Sequence, residues 1–406
     1  MISLFLLGFL LLTFLWGLYY AAHWNKNLTV TLKFQQNFVY AGEQAQLTEQ
    51  IENRKKLMLP VLEASFHIDK ALSFLDCENT NVSDYIYKRD IFALLGQQRI
   101  TRKLPLHCPK RGYYQISQSH LTAFSMLHGK RFSIECPADT ALYVYAARTN
   151  VSDILVSCER LMGNVQCAKR LFEDPFAFSS IREYTVTDPM NTINWKASAR
   201  TGELMVNTFE STLTEKVMIY LDMEDSGILK YEHLIEDSVS VAATLTQKLI
   251  ARGMEVGICV NVNVNTSGDS HTFKPDIVSL NPDSSLLQAI YIEPEGGKKQ
   301  LVSIEQMLAR RRSDEPTIPF SALLQERVSS QSDRHSTARK ISSHELPEDA
   351  VTIFISKNAV QNQAAIEKFA KKEYPAIWVI PYTRNDSCNV TTTDNICLVR
   401  REVNDS

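Results

Sequence analysis

The spacing of hydrophobic and polar positions divides the chain into three parts. Residues 1–22 are uncharged and almost wholly apolar. From Leu28 to about Tyr145, apolar and polar residues alternate, which is typical of half-buried antiparallel strands. From Val217 onward, short unbroken apolar runs alternate with segments of helical periodicity, which is typical of a buried parallel sheet with covering helices. The pattern predicts an apolar helix, a β module and an α/β domain.

The N-terminal apolar segment is long enough to cross a bilayer, since a membrane-spanning helix needs about 20 apolar residues. Aromatic side chains, which favour the membrane interface, gather toward its C-terminal end at Trp16, Tyr19, Tyr20 and Trp24. A cleaved signal peptide would begin with basic residues, but no Lys or Arg precedes Lys26. We therefore predict a retained transmembrane anchor over residues 1–24.

The charges beside this segment predict its orientation. His23, Lys26 and Lys33 follow the apolar segment, and no charge precedes it. Positive residues favour the cytoplasmic side of a span. We therefore expect a single-pass protein of the cell membrane, with the bulk of the chain in the cytoplasm.

The alternating region, 28–145, predicts a β-sandwich-like module. Strands are expected at 28–34, 46–51, 60–68, 99–106 and 113–117, with turn-forming residues between them. Short strands that each have one apolar face need a second sheet to cover that face. No catalytic motif lies in this region, so it is interpreted as a spacer or docking module.

The C-terminal region, 217–406, predicts a doubly wound parallel sheet. Apolar strands are expected at 217–221, 256–260, 351–355 and 377–380, and helices at 231–252, 304–311, 320–328 and 359–372. Strands that alternate with helices in this way form parallel sheets with helices on both faces. Residues 146–216 then form a connector between the two modules, and the polar tract 329–346 is interpreted as a mobile loop.

Composition narrows the classes of function. The 406 residues carry a formal net charge of -3. A nucleic-acid-binding protein would show a basic excess gathered on one face, so this class is disfavoured. The eight cysteines form no CxxC pair and no Cys/His cluster with metal spacing. They are therefore interpreted as the reduced thiols of a cytosolic domain.

A loop with alternating oxygen side chains follows the first strand of the predicted sheet. Ligand sites of open parallel sheets lie past the carboxyl ends of the strands, where Asp222, Glu224 and Ser226 stand. Such side chains suit a hard divalent cation such as Mg²⁺. The loop resembles the Asp-x-Ser-x-Ser metal-binding motif of von Willebrand factor A domains, with Glu224 in place of the middle serine. The resemblance implies a von Willebrand A-like α/β domain with a degenerate metal site.

A dense polar and aromatic block precedes this strand. Its members are Arg182, Glu183, Tyr184, Asp188, Asn194, Trp195, Lys196 and Arg200. The succession Arg-Glu-Tyr, Asp, Asn-Trp-Lys and Ala-Arg resembles the bacterial family filed as domain of unknown function 58, in which it stands just ahead of a von Willebrand A-like domain. Thr187 and Asn194 depart from the family's usual Gly and Asp. The upstream layout, with an anchor, a β-rich module and a Lys-Arg-Gly-Tyr turn at 110–113, also fits.

The family resemblance implies a function in protein interaction. Such proteins are associated with MoxR-type AAA+ ATPases, so we expect a membrane-anchored adaptor or scaffold without enzymatic activity. Two interpretations of the polar block stay open. It forms a recognition surface for the partner, or Arg182 pairs internally with Glu183 or Asp188 and fixes the connector onto the sheet.

The alternative is a metal-dependent phosphotransferase of the haloacid-dehalogenase type. That family also places an Asp nucleophile after its first strand, a Ser or Thr after another strand, and a Lys on a helix. Asp222, Ser356 and Lys371 are similar in position. However, Glu224 stands where the acid/base Asp belongs, and no acidic pair follows a third strand. A phosphate-binding Gly-rich loop is also missing from the sequence.

Overall fold

A computed structural model describes most of the chain. The residues described are 2–75, 80–125, 129–169, 178–185, 188, 190–209, 216–225, 231–262, 276–281, 284–313, 315–324, 350–370, 376–384, 390 and 396–403. The predicted positions Ser226 and Lys371 and the tract 329–346 lie outside them.

The chain divides into two compact units. Unit 1 comprises Met1–Arg148 and Glu305–Arg312, and unit 2 comprises Thr149–Ile304 and Ser313–Ser406. The anchor and the β module that were predicted separately thus fall in one unit. The described part of the predicted connector falls almost wholly in unit 2, together with the α/β domain.

Helix α1, Ile2–His23, is the predicted apolar segment. Over Leu4–His23 its mean hydropathy is 2.0, so it is long and apolar enough to cross a membrane, by a test that a signal sequence also passes. Most of its side chains are exposed, but Tyr20 and, just after the helix, Trp24 are each only 5% exposed. Both pack into an apolar cluster with residues of the β module. The end of the helix is therefore part of the core of unit 1.

In the described part of unit 1, ten strands form two sheets. They are β1 (Leu28–Phe34), β2 (Phe38–Tyr40), β3 (Gln44–Asn53), β4 (Leu59–Asp69), β5 (Ser73–Phe74), β6 (Thr80–Val82), β7 (Tyr85–Leu94), β8 (Gln98–His107), β9 (Gly112–Phe124) and β10 (Arg131–Tyr145). One sheet has the order β1-β3-β8-β5 and the other β2-β10-β9-β4-β7-β6. Side chains from both sheets share one apolar cluster, for example Leu47 of β3 and Phe66 of β4. The predicted β-sandwich-like module is confirmed.

The strands that the sequence pattern missed carry charges or irregularities. Strand β7 buries every second residue, but two of its inward positions are Lys88 and Asp90 rather than apolar side chains. Strand β10 has a register shift between Pro137 and Thr140, which breaks the two-residue period. Periodicity alone recognises a strand only where the inward side chains are apolar and the register is regular.

A layer of charged side chains separates two apolar clusters within unit 1. Glu49 of β3 and Lys88 and Asp90 of β7 are buried, and Arg102 of β8 places Nη1 3.1 Å from Oδ2 of Asp90. The ammonium of Lys88 lies 3.9 Å from the same oxygen. Burial, followed by the negative charge of Asp90, raises the pKa of Glu49 to about 7. The core of unit 1 thus contains a carboxyl group that titrates near neutral pH.

Unit 2 contains a two-stranded and a seven-stranded sheet. The first pairs β11 (Phe178–Glu183) with β12 (Met205–Phe209). The second is formed by β13 (Lys216–Leu221), β14 (Glu255–Val260), β15 (Asp276–Asn281), β16 (Ser284–Glu295), β17 (Ala350–Ile355), β18 (Ala376–Tyr382) and β19 (Ile396–Glu402). Further helices within the described residues are α2 (Ser152–Lys169), α3 (Trp195–Thr201), α4 (Glu232–Ala251), α5 (Gly297–Arg310) and α6 (Ala359–Ala370), and α5 belongs to unit 1 from Glu305 onward. A helical segment also covers 320–324.

The larger sheet has the order β15-β16-β14-β13-β17-β18-β19. Strands β14, β13, β17, β18 and β19 are parallel, whereas β16 is antiparallel to β14 and β15 is antiparallel to β16. The sheet is therefore parallel over five strands, as predicted, and antiparallel at the edge formed by β15 and β16. The pattern missed β15 and β16 because polar residues interrupt their apolar positions, unlike the unbroken runs of doubly buried strands.

The four predicted central strands are observed as β13, β14, β17 and β18, and the helix predicted at 231–252 is observed as α4. All side chains from Val217 to Leu221 are buried, as expected for a parallel strand covered on both faces. Helix α4 buries Leu234, Val241, Leu245 and Leu249. Gly253 has a φ of +86° just after α4, a left-handed conformation that glycine adopts without steric cost. These elements bring the carboxyl ends of β13, β14 and β17 to one edge of the sheet.

Candidate functional site

Three polar residues meet at the carboxyl edge of the large sheet. Asp222 follows β13, Asn261 follows β14 and Ser356 follows β17, and the last residues of these strands are aligned in register. After β13 the chain adds β14 on one side and later adds β17 on the other. This is a topological switch point, where ligand sites of open α/β sheets lie.

Four hydrogen-bond donors surround the carboxyl group of Asp222, which is 1% exposed. Its Oδ1 accepts from the backbone N–H of Glu224 at 2.9 Å and from Nδ2 of Asn261 at 2.8 Å. Its Oδ2 accepts from Oγ of Ser356 at 2.7 Å and from Nδ2 of Asn362 at 3.0 Å. Each carboxyl oxygen thus accepts two hydrogen bonds from the protein. We call Asp222, Asn261, Ser356 and Asn362 the Asp222 hub.

Further hydrogen bonds fix the amide groups of the hub. Asn261 accepts at Oδ1 from the backbone N–H of Met223 at 2.8 Å, and its Nδ2 also donates to the carbonyl of Ile318 at 3.0 Å. The amide therefore presents its NH₂ group, not its oxygen, to the carboxyl. Asn362 donates from Nδ2 to Oγ of Ser356 at 3.0 Å as well as to the carboxyl. The hub is a connected polar network at the carboxyl edge of the sheet.

The loop after β13 is held by a second group of contacts. Lys357 forms a half-buried ion pair with Asp225, whose other oxygen accepts from the backbone N–H of Tyr231 at 3.1 Å. Asn358 donates from Nδ2 to the carbonyl of Glu224 at 2.9 Å. These contacts connect the loop after β13 to the loop after β17 and to the start of α4.

Burial raises the pKa of Asp222 to about 6. The hydrogen bonds from Ser356, Glu224 and Asn261 act in the opposite direction, and the nearby charge of Glu224 adds to the rise. Desolvation therefore outweighs the donors that would favour the ionised form. The carboxyl group of the hub is expected to gain a proton in mildly acidic solution.

The chemistry of the hub does not fit a bound metal ion at Asp222. Mg²⁺ takes oxygen ligands, whereas the groups that face this carboxyl are N–H and O–H donors. Glu224 accepts at Oε2 from the backbone N–H of Phe320 at 3.3 Å. Within the residues that the structure describes, no group of three or more His, Cys, Asp or Glu side chains is placed to hold a metal ion. The predicted third ligand, Ser226, lies outside that part of the chain.

The sequence analysis did not identify two members of the hub. Asn261 was detectable, because it directly follows the apolar strand β14 as Asp222 follows β13. Asn362 lies inside helix α6 and is distant in sequence from Asp222. Only the packing of α6 beside the sheet edge reveals its contact with the carboxyl group.

The polar block forms a small platform built on β11 and β12. Arg182 binds Asp188 with two parallel hydrogen bonds, from Nη1 at 2.7 Å and from Nη2 at 2.6 Å. Thr185 donates to the same carboxylate from its backbone N–H at 2.9 Å and from Oγ1 at 2.7 Å. The hydrogen bonds from Arg182, followed by those from Thr185, hold the pKa of Asp188 well below its usual range. The internal pair that the sequence analysis left open is therefore formed with Asp188.

Helix α3 follows this pair and is capped at both ends. Asn194 accepts at its side chain from the backbone N–H of Ala197 at 3.0 Å and donates to Oδ1 of Asn207 at 2.7 Å. Asn194 therefore serves as the N-cap of α3 and also contacts β12. At the other end, Gly202 has a φ of 80° and donates its N–H to the carbonyl of Ser198.

The remaining residues of the block lie on the outside of the platform. Trp195, at the start of α3, is 65% exposed, and Glu183, Lys196 and Arg200 are also exposed. Tyr184 is half-buried, and its backbone N–H donates to the carbonyl of Leu204 at 2.8 Å. The block thus separates into an internal clamp of Arg182 and Asp188 and an outer face that carries Trp195.

Comparisons with solved structures give only weak likenesses. A CARDB domain of the PF1109 protein from Pyrococcus furiosus is 10% identical and matches 28% of this chain and 90% of that one, with a TM-score of 0.19. A non-cellulosomal cohesin from Archaeoglobus fulgidus is 12% identical over 32% and 97% of the two chains, with a TM-score of 0.21. A type II cohesin domain from the cellulosome of Acetivibrio cellulolyticus is 9% identical over 28% and 91%, with a TM-score of 0.20. These scores are too low to support an argument about fold or function.

Sequence comparison gives one clear result. No curated protein matches the chain. The family described as protein of unknown function DUF58 matches residues 180–340, a segment that contains the clamp of Arg182 and Asp188, the face with Trp195 and the loop after β13. Residues 180–340 therefore belong to the DUF58 family, as the Arg-Glu-Tyr and Asn-Trp-Lys succession predicts.

Proposed function

We propose that this protein is a membrane-anchored adaptor without enzymatic activity, and that its α/β unit is a von Willebrand A-like domain that works with a MoxR-type AAA+ ATPase. The partner class comes from the family resemblance. The structural support comes from the strand order of the large sheet, the packing of α1 and the exposed face with Trp195.

The strand order supports a doubly wound domain. When the outermost strand β15 is left aside and the other six strands are numbered along the chain from β13, the order β16-β14-β13-β17-β18-β19 reads 3-2-1-4-5-6, with the third strand antiparallel. This is the order of doubly wound α/β folds, in which the ligand site lies between strands 1 and 4. Asp222 stands at that position, where a von Willebrand A domain carries the first residue of its metal motif. The Asp222 hub fills that position with hydrogen bonds and supports a structural role for this loop.

The packing of α1 supports a retained anchor. Tyr20 and Trp24 belong to the same buried cluster as Ile51, Leu62 and Phe92 of the β module. Removal of the segment that contains Tyr20 would leave a gap in that cluster, which makes a role as a discarded signal sequence unfavourable. The basic residues that follow the helix favour a cytoplasmic position for the rest of the chain.

The exposed Trp195 is the observation that supports partner binding most directly. Tryptophan is over-represented among the residues that contribute most to binding at protein interfaces. Here the indole is presented by a capped helix on a platform that Arg182 and Asp188 hold together. A rigid platform reduces the conformational entropy that binding would cost.

An affinity capture from native membranes tests this function. The tagged full-length protein, extracted in mild detergent, is compared with Trp195→Ala and with Tyr85→Ala, an exposed aromatic control in unit 1. We expect an AAA+ ATPase to be enriched with the wild type and the control, and to bind Trp195→Ala on the order of tenfold more weakly or worse. Equal capture by all three proteins would contradict a binding role for Trp195.

The same preparation tests the enzymatic alternative. Both oxygens of Asp222 accept hydrogen bonds from the protein, so neither is presented as a free nucleophile. We expect no turnover of p-nitrophenyl phosphate in the presence of Mg²⁺. Turnover that disappears in Asp222→Asn would support the haloacid-dehalogenase-like interpretation and contradict the proposal of a non-enzymatic adaptor.

A further inference from the structure

We propose that two turns of unit 1, residues 54–58 and 95–97, each of which connects one sheet of the β module to the other, form a surface that contacts the anionic phospholipid headgroups around the anchor. We call them the paired turns. The proposal rests on the proposed role of α1 as a membrane anchor, and it adds a second, lateral contact between the β module and the bilayer.

The paired turns are connected to each other by hydrogen bonds. Asn53, which is fully buried, donates from Nδ2 to the carbonyl of Leu57 at 3.0 Å and to the carbonyl of Leu95 at 2.9 Å. The backbone N–H of Gln97 donates to the carbonyl of Lys55 at 2.9 Å. A Cβ atom at Gly96 would lie 2.4 Å from the carbonyl oxygen of Lys56. The two turns are therefore in close backbone contact and act as one rigid surface.

The same turns are bound to the end of α1. The backbone N–H of Arg54 donates to the carbonyl of Asn27 at 3.0 Å, and Nζ of Lys55 donates to the carbonyl of Trp24 at 2.6 Å. Trp24 is buried against Phe132 of β10. The connection from the helix to the β module thus contains no flexible linker, and the paired turns lie beside the point where α1 ends.

The position of this point follows from the length of α1. A helix of about 20 residues at 1.5 Å per residue spans about 30 Å, which matches the hydrocarbon thickness of a bilayer. If the apolar part of α1 fills the hydrocarbon layer, Tyr19, Tyr20 and Trp24 lie at the interface, where aromatic residues are preferred. The paired turns, bound to Trp24 and Asn27, then lie at the level of the headgroups.

The side chains of the paired turns suit that environment. Met58 and Leu95 are 55% and 65% exposed, although they are apolar. The basic residues of the first turn and of the segment after α1 are Lys26, Arg54, Lys55 and Lys56, and the acid Glu52 is already paired with Arg54 at 3.0 Å and with Arg99 at 2.9 Å. Apolar side chains beside an excess of Lys and Arg are typical of surfaces that bind anionic bilayers. The charge and the continuity with the anchor favour a lipid rather than a protein as the neighbour.

Photo-crosslinking in lipid nanodiscs tests the inference. The full-length protein carries p-benzoylphenylalanine in place of Leu95, or in place of Tyr85 as a control at the opposite end of β7, about 30 Å away along the strand. Each protein is placed in discs of phosphatidylcholine alone or with phosphatidylglycerol, irradiated and analysed for lipid adducts by mass spectrometry. We expect adducts at position 95 and not at 85, with phosphatidylglycerol enriched over its share of the disc.

The second part of the experiment neutralises two of the basic residues, Lys26 and Lys56. In the double variant Lys26→Gln and Lys56→Gln, we expect the preference for phosphatidylglycerol at position 95 to fall by about fivefold per charge removed. A matched double variant with Lys33→Gln and Lys103→Gln, which carry exposed lysines elsewhere on unit 1, should keep the preference.

The outcomes separate the inference from the proposed anchor. A protein that fails to enter discs and is released from membranes by alkaline carbonate would contradict the anchor itself. If the protein enters discs but gives no lipid adduct at position 95, the lipid surface is overturned and the anchor is left intact. The same conclusion follows if crosslinking from position 95 is repeated in native membranes and gives adducts to another protein. Adducts without any preference for phosphatidylglycerol would overturn the electrostatic part.

Discussion

Replacing Asp222 with alanine tests whether the hub is structural. The substitution removes the acceptor of four donors. Two of these donors keep another acceptor, since Asn261 also donates to Ile318 and Asn362 also donates to Ser356. The backbone N–H of Glu224 and the hydroxyl of Ser356 lose the acceptor described for them. A buried donor without a partner costs about 1 to 3 kcal/mol, so the expected loss of stability is about 2 to 6 kcal/mol.

The loss of stability in Asp222→Ala should depend on pH. The pKa of Asp222 determines whether this loss grows or shrinks as pH rises. Burial raises this pKa from 3.8 to about 6 in the folded protein. The folded state therefore holds a proton that the unfolded chain releases, and the free energy of unfolding of the wild type falls as pH rises through this window. Between pH 4 and pH 8 the decrease from this group is about 2 kcal/mol. Since the alanine variant lacks this carboxyl group, the difference in unfolding free energy between the two proteins should be about 2 kcal/mol smaller at pH 8 than at pH 4.

The local free energy of opening is measured by hydrogen exchange of the full-length protein in detergent. Mass spectrometry then reports the exchange of peptides from β13 and β17. At pH 4 a loss of about 4 kcal/mol corresponds to exchange on the order of a thousandfold faster, after correction for the intrinsic rate. Asp153→Asn, an exposed position at the start of α2, is the control and should change stability by less than about 0.5 kcal/mol.

Two results would refute the reasoning. A difference that grows with pH would mean that the donors favour the ionised carboxylate more than burial opposes it, so that the pKa is lowered. Protection of the wild type by millimolar Mg²⁺, absent in Asp222→Ala, would mean that the loop binds a metal ion after all and that the hub rearranges to admit it.

The remaining predictions concern the core of unit 1 and the platform. Burial and the charge of Asp90 raise the pKa of Glu49 to about 7, so the unfolding free energy of the wild type should fall between pH 5 and pH 8. In Glu49→Gln this fall should be smaller by about 2 to 3 kcal/mol. Hydrogen exchange of peptides from β3 at both pH values measures the fall, and an unchanged pH dependence would contradict the prediction. Gly202→Ala should destabilise the platform by about 1 kcal/mol, because the φ of 80° disfavours a side chain there although no neighbouring atom would contact the new Cβ. Hydrogen exchange of peptides from β12 measures this loss. The control Gly8→Ala, in α1, should leave exchange of β12 unchanged.

The regular elements that face an apolar core were predictable from the sequence. The run at 217–221 and the helix at 231–252 appear with the expected character as β13 and α4. Elements whose buried positions are charged, or that lie at an edge, were not predictable in this way. Strand β7 buries Lys88 and Asp90, and Arg102, which forms an ion pair with Asp90, stands on another strand. The stabilising contacts of such residues are with partners distant in sequence, which periodicity cannot detect.

The same division applies to the candidate site. The sequence by itself determined that Asp222 follows a buried strand, that Arg182 to Arg200 form a polar and aromatic block, and that an apolar helix begins the chain. Only the tertiary structure decided that four donors converge on Asp222, that Arg182 and Asp188 form an internal clamp, and that Trp24 and the paired turns meet. The physical reason is that local patterns record which side chains are apolar, whereas hydrogen bonds and ion pairs depend on which distant residues the packed elements bring within about 3 Å.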